Sequence, residues 1–433
     1  MDKNGLIKFI FFSFLGIVFF FVPIHLRKTL LIIFVSKTKA IFGNYLPVVV
    51  ITLMALFCLL LVANLDFRQI KKHVLNTSVF NKTLYLVGFF FGIMVFFQIG
   101  PEILINNNTG GLAMALATDV FVTVIIAGTV VTFISSFGLL QFIGTLLEPL
   151  MRPLYRLPGY AGIDIATSIA TSPAVDIYLS DKIYMARLYT KREVSSVVTN
   201  FSICSLGFFV VLCEMTGISQ YYGQVILTSF ILSFIIPFIT VRIPPLSGIP
   251  DVYCDGSEPI ERVKKQKERS AAIHEAWTSA IHTASSTSVK ELLNGFVDSI
   301  FYAIKIACYI ISLATVALII GEYTSLFQWI GIPLVPVLNL LKIPNAMEIA
   351  PSILVGIIEL ALPAMLIADK SIATEASFYV VVLSTLQVVF FAESANAILE
   401  SSIPLNGWQL ICIFFTRTII AIPLVAIAMH LLF

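Results

Sequence analysis

The chain has 433 residues, of which 58% are hydrophobic and only 12% charged. Soluble domains carry about a quarter charged residues, so this composition excludes a soluble enzyme, a disordered chain and a nucleic-acid binder. The net charge of +2 is too small to imply an anionic partner.

A helix needs about 20 apolar residues to cross a bilayer. Uncharged runs of that order lie at 9–24, 44–65, 83–99, 120–147, 195–213 and 219–241. Others follow at 306–321, 323–341, 376–392 and 401–416, the last continuing past Arg417 to Phe433. They predict a polytopic, all-α membrane protein in the lipid bilayer. Lys3 and Lys8 precede the first run, but no small-residue cleavage site follows it, so it reads as an uncleaved helix. The segment 242–298 is the sizeable polar stretch. It opens as a rigid loop, Ile243-Pro244-Pro245 and Gly248-Ile249-Pro250-Asp251. It continues through Arg262, Lys264, Lys265, Lys267 and Arg269 into an expected surface helix ending near Gly295.

Short loops rich in Lys and Arg stay cytoplasmic. That rule places Arg68, Lys71, Lys72, Lys82, Arg152, Arg156, the 182–192 loop and the 242–298 linker inside. The 102–118 segment has no Lys or Arg, and Asn106-Asn107-Asn108-Thr109-Gly110-Gly111 reads as an outside loop. Arg27, Lys28, Lys37 and Lys39 fit the scheme only if a short interfacial helix near 30–35 holds them, and residues 25–43 are left without a topology.

Two stretches echo each other. Gln141-Phe142-Ile143-Gly144 recurs as Gln328-Trp329-Ile330-Gly331. Asp164-Ile165-Ala166-Thr167-Ser168-Ile169 recurs as Glu348-Ile349-Ala350-Pro351-Ser352-Ile353. Asp176 recurs as Glu359, and Asp181-Lys182 as Asp369-Lys370. A proline-rich connector separates the first two motifs each time. The flanking charges bring the first copy's segment 159–180 in from the inside and the second copy's 345–369 in from the outside. The copies are therefore expected to be inverted repeats with broken or re-entrant helices, the plan of many secondary transporters. The expected organisation is three N-terminal spans in 1–118, a first repeat in 119–241, a cytoplasmic linker in 242–298 and a second repeat in 299–433.

The broken segments carry the polar chemistry. Asp164, Thr167, Ser168, Thr171 and Ser172 follow i, i+3, i+4, i+7, i+8 spacing, which puts five oxygen-bearing groups on one helical face. Pro173 interrupts any helix there. Lipid cannot satisfy a polar face, and a carboxylate at the bilayer centre costs roughly 2.5–3.5 kcal/mol on insertion scales. Asp164 and Asp176 therefore need a compensating role. The second copy offers Glu348, Ser352 and Glu359, and its following span ends in Glu393, Ser394 and Asn396. Asn200, Ser202 and Glu214 lie on the equivalent first-copy span. The substrate- or ion-binding set is thus Asp164, Thr167, Ser168, Thr171, Ser172, Asp176, Asn200, Glu348, Ser352, Glu359, Glu393, Ser394 and Asn396. Asp181 and Asp369 read as interface acids beside Lys182 and Lys370, and Lys305 and Arg417 as counter-ions or snorkelling cations.

Catalytic signatures fail on inspection. His274-Glu275 opens like a zinc-protease helix, but Thr278 stands where the second histidine is needed. The six cysteines show no metal spacing. Gly159-Tyr160-Ala161-Gly162-Ile163-Asp164 lacks the register of intramembrane aspartyl proteases, and neither a GxSxG elbow nor a phosphate-binding loop occurs. No enzyme activity, cofactor or metal is expected.

The stretch from Gly162-Ile163-Asp164 to Asp181-Lys182, the Pro244-Pro245…Gly248-Ile249-Pro250-Asp251 loop and the early span ending Phe21-Val22-Pro23-Ile24 resemble the Gate-domain, or nucleoside-recognition, membrane proteins, and among them the YjiH-like group. The resemblance covers most of the chain. It implies the Gate repeat also found in concentrative nucleoside transporters, where paired hairpins and adjacent unwound helices bind substrate. Phe391-Ala392-Glu393-Ser394 is loosely similar to the Phe-Ala-Asn motif of those transporters, with Glu393 in the asparagine position. The expectation is a secondary transporter of the bacterial inner membrane. Its substrate would be a nucleoside, amino acid or small peptide, with H⁺ or Na⁺ as coupling ion. The alternative is a non-transporting Gate-fold subunit acting with a second Gate-family membrane protein or as a homo-oligomer.

Overall fold

The computed structural model describes the chain except residues 1–2, 26–27, 64–78, 171–172, 203–205, 260–268, 289 and 369. Thr171, Ser172, Asp369, Cys204 and the cations Arg27, Arg68, Lys71, Lys72, Arg262, Lys264, Lys265 and Lys267 lie outside the described residues. The fold is helical throughout, as a chain in lipid must satisfy its own backbone. The exception among the described residues is a ribbon pairing Pro23–His25 with Lys28–Thr29 antiparallel.

Among the described residues, four helical stretches are long and apolar enough to cross a membrane: Glu102–Val130, Ser219–Thr240, Leu292–Tyr323 and Gly407–Leu432. Ile33–Phe42 and Leu46–Leu61 pass the same test as a pair bent by 91°. Shorter apolar helices, including Asn4–Phe19 and Asn81–Phe97, accompany them. Large apolar side chains such as Phe11, Phe14, Leu59, Phe90, Leu227, Ile231, Ile419 and Ile427 point outward, as lipid contact requires. Trp329 and Trp408 are exposed near helix ends, where an amphipathic ring suits the membrane–water boundary.

Several apolar runs are not single spans. The run at 120–147 divides into Leu112–Ser136 and Leu139–Tyr155. Gly138, at φ +94°, turns the chain between them. Any Cβ there would sit 2.4 Å from the Ala280 carbonyl oxygen, so the turn and the close packing both require glycine. The run at 195–213 divides into Lys191–Asn200 and Leu206–Met215. The run at 376–392 divides into Thr374–Leu386, a largely buried non-helical stretch, and Ser394–Glu400. The segment 106–111 is not a loop. Asn107–Gly111 forms a π-turn leading into Leu112–Ser136. The Asn106 side chain caps it by accepting from the Asn108 N–H at 2.8 Å, and Thr109 Oγ1 donates to the Ile103 carbonyl at 2.7 Å.

The polar linker also differs from expectation. Its helix Arg269–Ser286 is not a free surface helix. Ala280 and Ala284 are fully buried, and with Ile281 and Trp277 they pack on Phe9 of the first helix and Phe142. A second helix starts at Lys290, inside the expected linker, and continues through a π-turn at Ile310–Ala314 to Tyr323. The linker's start is tied to the 182–192 loop. Arg187 pairs with Asp255 at 3.1 Å, the Lys191 N–H donates to the Val252 carbonyl at 2.8 Å, and Arg192 Nε donates to the Ile249 carbonyl at 2.8 Å. These two segments therefore lie on the same side of the membrane.

One element order occurs twice. In the first occurrence Leu139–Tyr155 precedes a hairpin of Ala161–Ala170 and Pro173–Met185, then the broken Lys191–Asn200 and Leu206–Met215, then Tyr222–Thr240. In the second, Leu326–Gly331 and Val335–Leu340 precede a hairpin of Ala346–Val355 and Leu362–Ala368. The broken Thr374–Leu386 and Ser394–Glu400 follow, then Gly407–Leu432.

Candidate functional site

The first hairpin holds its acids in the interior. Asp164 and Asp176 are both 0% exposed. Asp164 Oδ2 accepts from the Tyr189 hydroxyl at 2.5 Å. Asp176 Oδ2 accepts from Ser202 Oγ at 2.6 Å. The remaining oxygen of each, Oδ1, is buried without a hydrogen-bond partner among the described residues. The two carboxyls are close enough to interact electrostatically. Thr167, Ser168 and Ser180 are buried on the same hairpin. Burying a carboxylate with half its acceptor capacity unused is costly.

The start of the hairpin's second helix meets the break that follows Leu386. The Ala174 N–H, at the start of Pro173–Met185, donates to Glu393 Oε1 at 3.1 Å. A carboxylate is favoured there because the first turn of a helix exposes unpaired N–H groups. Glu393 lies in the break between Thr374–Leu386 and Ser394–Glu400, where its backbone is non-helical.

The second hairpin pairs with that same break. The Phe391 N–H donates to the Ile357 carbonyl at 2.8 Å, and the Ala392 N–H to the Ile358 carbonyl at 2.7 Å. Non-helical backbone at membrane depth survives only where protein satisfies it in this way. Glu359, 6% exposed, accepts from the Ala361 N–H at 2.6 Å and the Leu362 N–H at 3.1 Å, capping the hairpin's second helix. Glu359 and Glu393 interact electrostatically. Ser394 and Asn396 are buried and bond within the break. Ser394 Oγ donates to the Val388 carbonyl at 2.7 Å and Asn396 Nδ2 to the Phe391 carbonyl.

Asn200 ends the half-helix Lys191–Asn200. Its Oδ1 accepts from Thr240 Oγ1 and from Arg417 Nη1, each at 2.5 Å. The Leu386 carbonyl, at the end of the other half-helix, accepts from Arg417 Nη2 at 2.9 Å and Nε at 3.2 Å. Arg417 is therefore neither a snorkelling cation nor the counter-ion of a carboxylate among the described residues. It is fully buried and bonds neutral acceptors.

Of the residues expected in the site, Asp164, Thr167, Ser168, Asp176, Asn200, Glu359, Glu393, Ser394 and Asn396 lie in the hairpins and breaks with buried or half-buried side chains. Two do not join them. Glu348 is exposed in the first turn of Ala346–Val355, where an acid complements the helix N-terminus. Ser352 is buried, but its hydroxyl donates back to the Ile349 carbonyl at 2.7 Å, within its own helix. The Asp181-Lys182 couple is split as well. Lys182 pairs with Asp298 at 2.5 Å, and Asp181 Oδ1 accepts from the Ser402 N–H at 2.9 Å.

Other participants carry weaker sequence signals. Tyr189 has no periodic relation to Asp164. Gln387 is an amide inside an apolar run, which is a readable signal. Its Nε2 donates to the Ile353 carbonyl at 2.7 Å and to Thr418 Oγ1 at 3.1 Å. Glu400, seven residues after Glu393, is a buried acid paired with Lys305 at 3.1 Å and receiving a bond from the Tyr85 hydroxyl.

Comparison with known proteins matches part of this sequence to one family. The sequence profile of the Gate family, described as nucleoside recognition, matches residues 117–219, which contain the first hairpin and its broken helix. An uncharacterised protein of Alkalihalophilus pseudofirmus is 32% identical over all of this chain and 96% of its own length. The chain belongs to the Gate family of membrane proteins. Another relative is the sporulation integral membrane protein YlbJ of Bacillus subtilis, 29% identical over 28% of this chain and 28% of its own length. No solved structure matches the chain. The Gate profile ends before the second hairpin, so the oxygens supplied by Glu359 and Glu393 lie beyond the matched residues.

Proposed function

We propose that this Gate-family chain is a secondary transporter of a small polar solute, a nucleoside, amino acid or small peptide, driven by a cation gradient of H⁺ or Na⁺. The observation that carries this reading is the meeting of two hairpins and two broken helices around Asp164, Asp176, Glu359 and Glu393. Asp164 and Asp176, each with a buried oxygen that has no hydrogen-bond partner among the described residues, are suited to bind and release a cation. Broken helices at a repeat interface are where transporters hold solute and coupling ion. The recurring element order supports an inverted repeat, in which one copy rocks against the other and opens the site to each side in turn.

The reading places the 182–192 loop and the linker in the cytoplasm of a bacterial cell, on the Lys/Arg asymmetry. It assigns no enzyme activity. Purified protein in liposomes, offered a panel of labelled nucleosides, amino acids and dipeptides under an imposed ion gradient, tests it. Accumulation above equilibrium supports transport. Absence of flux for every solute that shifts the melting temperature favours a non-transporting Gate-fold subunit.

A further inference from the structure

Arg417 stands about 15 Å along Gly407–Leu432 from its N-terminus, at 1.5 Å per residue. It is fully buried, and among the described residues no carboxylate forms an ion pair with it. Its guanidinium instead bridges two helix ends. One contact is to the side-chain Oδ1 of Asn200, the last residue of the half-helix Lys191–Asn200, and the other is to the backbone carbonyl of Leu386, the last residue of Thr374–Leu386. The two half-helices come from the two occurrences of the element order. Each helix C-terminus carries roughly −0.5 of an elementary charge, so two ends sum to about −1. One guanidinium balances that sum.

Ends of this kind, in broken membrane helices, are where transporters coordinate their coupling cation. Here the ends are already occupied by a charged side chain. A second cation between them would leave about +1 uncompensated in a buried site, at a high desolvation cost. Of the neighbouring polar groups, the Asn200 amide and two hydroxyls are committed, and Gln387 Oε1 is buried without a hydrogen-bond partner among the described residues. Thr240 Oγ1 donates to Asn200 Oδ1, and Thr418 Oγ1 accepts from Gln387 Nε2.

We propose that Arg417 is the resident cation of this site. It takes the place and the charge of a monovalent metal ion between the two half-helix ends, which therefore take no Na⁺; with H⁺ rather than Na⁺ as the coupling ion at the buried carboxylates, solute binding and transport do not require Na⁺. The consequence for transport rests on the transporter reading, whereas the ion-binding claim stands apart from it.

Thermal unfolding of the purified full-length protein, in NaCl and in choline chloride of equal concentration, tests the assignment. The wild type is expected to melt at the same temperature in both salts. Arg417→Gln empties the charge from the site, and Na⁺ is then expected to raise its melting temperature by about 2–4 °C over choline. Stabilisation of the wild type by Na⁺ overturns the proposal, as does a folded Arg417→Gln variant indifferent to Na⁺. Should Arg417→Gln fail to fold, Arg417→Lys decides. A folded lysine variant that stays indifferent to Na⁺ supports the resident charge, and one that becomes Na⁺-stabilised overturns it. The two readings fail separately. Na⁺ indifference regained as sensitivity in Arg417→Gln, with no solute taken up, keeps the resident cation and removes the transporter. Na⁺-driven uptake by the wild type does the reverse.

Discussion

Ser202→Ala probes the bond that ties the first hairpin to its broken helix. Ser202 is 1% exposed and donates to Asp176, which is 0% exposed, at 2.6 Å. The other Asp176 oxygen has no partner among the described residues. Removing the hydroxyl therefore strips the carboxylate of its one described hydrogen bond. A bond to a charged group contributes about 1.5–3 kcal/mol, and a neutral one about 1 kcal/mol. At roughly 2 °C per kcal/mol for a long chain, Ser202→Ala should lower the melting temperature of the detergent-purified protein by about 3–6 °C. In an Asp176→Asn background the acceptor is neutral, and the same change should cost only about 2 °C. The difference between backgrounds measures the charge on Asp176 within the bond. Equal losses in both backgrounds, or none in either, would refute the reasoning.

Further expectations follow from other parts of the molecule. Gly159→Ala places a Cβ 1.8 Å from the Gly144 carbonyl oxygen, a backbone clash that should sharply reduce folded protein recovered from membranes. Gly223→Ala, where nothing lies within 4 Å, should leave recovery unchanged or raise it. Asp255 is held below its ordinary pKa of 3.8, first by the Ser257 hydroxyl. A depressed carboxyl contributes stability above its unfolded pKa and loses it as pH falls through the folded value. The 251–257 turn should therefore keep its protease resistance down to about pH 4 and lose it below, whereas Asp255→Asn should show no such acid transition. Single cysteines in the 182–192 loop and in the linker should both resist an impermeant thiol reagent on intact cells, because contacts join the two segments. Labelling of either contradicts the inverted arrangement.

The long apolar runs and the positions of the hairpins are legible in the sequence because lipid imposes one rule, that apolar length means helix. The breaks are legible only where proline or clustered oxygens mark them, as at Pro173. The break after Leu386 escapes notice because Val388, Val389 and Phe390 are as apolar as any helix. Its non-helical backbone is satisfied in part by the second hairpin's carbonyls, which accept from the Phe391 and Ala392 N–H groups, a tertiary effect with no local signature. Glu348 illustrates the opposite failure. The sequence pattern sets it opposite Asp164, yet the second hairpin exposes it at a helix start, where an acid complements the helix N-terminus. Arg417 is visible as a charge in an apolar span, but its role depends on two helix ends that lie 31 and 217 residues away.

The claim that buried carboxylates of the first hairpin drive transport is tested most directly by concentrative uptake in proteoliposomes. The protein is paired with its best-bound solute, and wild type is compared with Asp164→Asn. Asn keeps an acceptor for the Tyr189 hydroxyl but holds no exchangeable charge. The account expects the wild type to accumulate solute above equilibrium and Asp164→Asn to equilibrate or fail. It expects exposed Glu348→Gln to behave as wild type. Accumulation by Asp164→Asn equal to that of the wild type, unchanged when the ion gradient is collapsed, would contradict it.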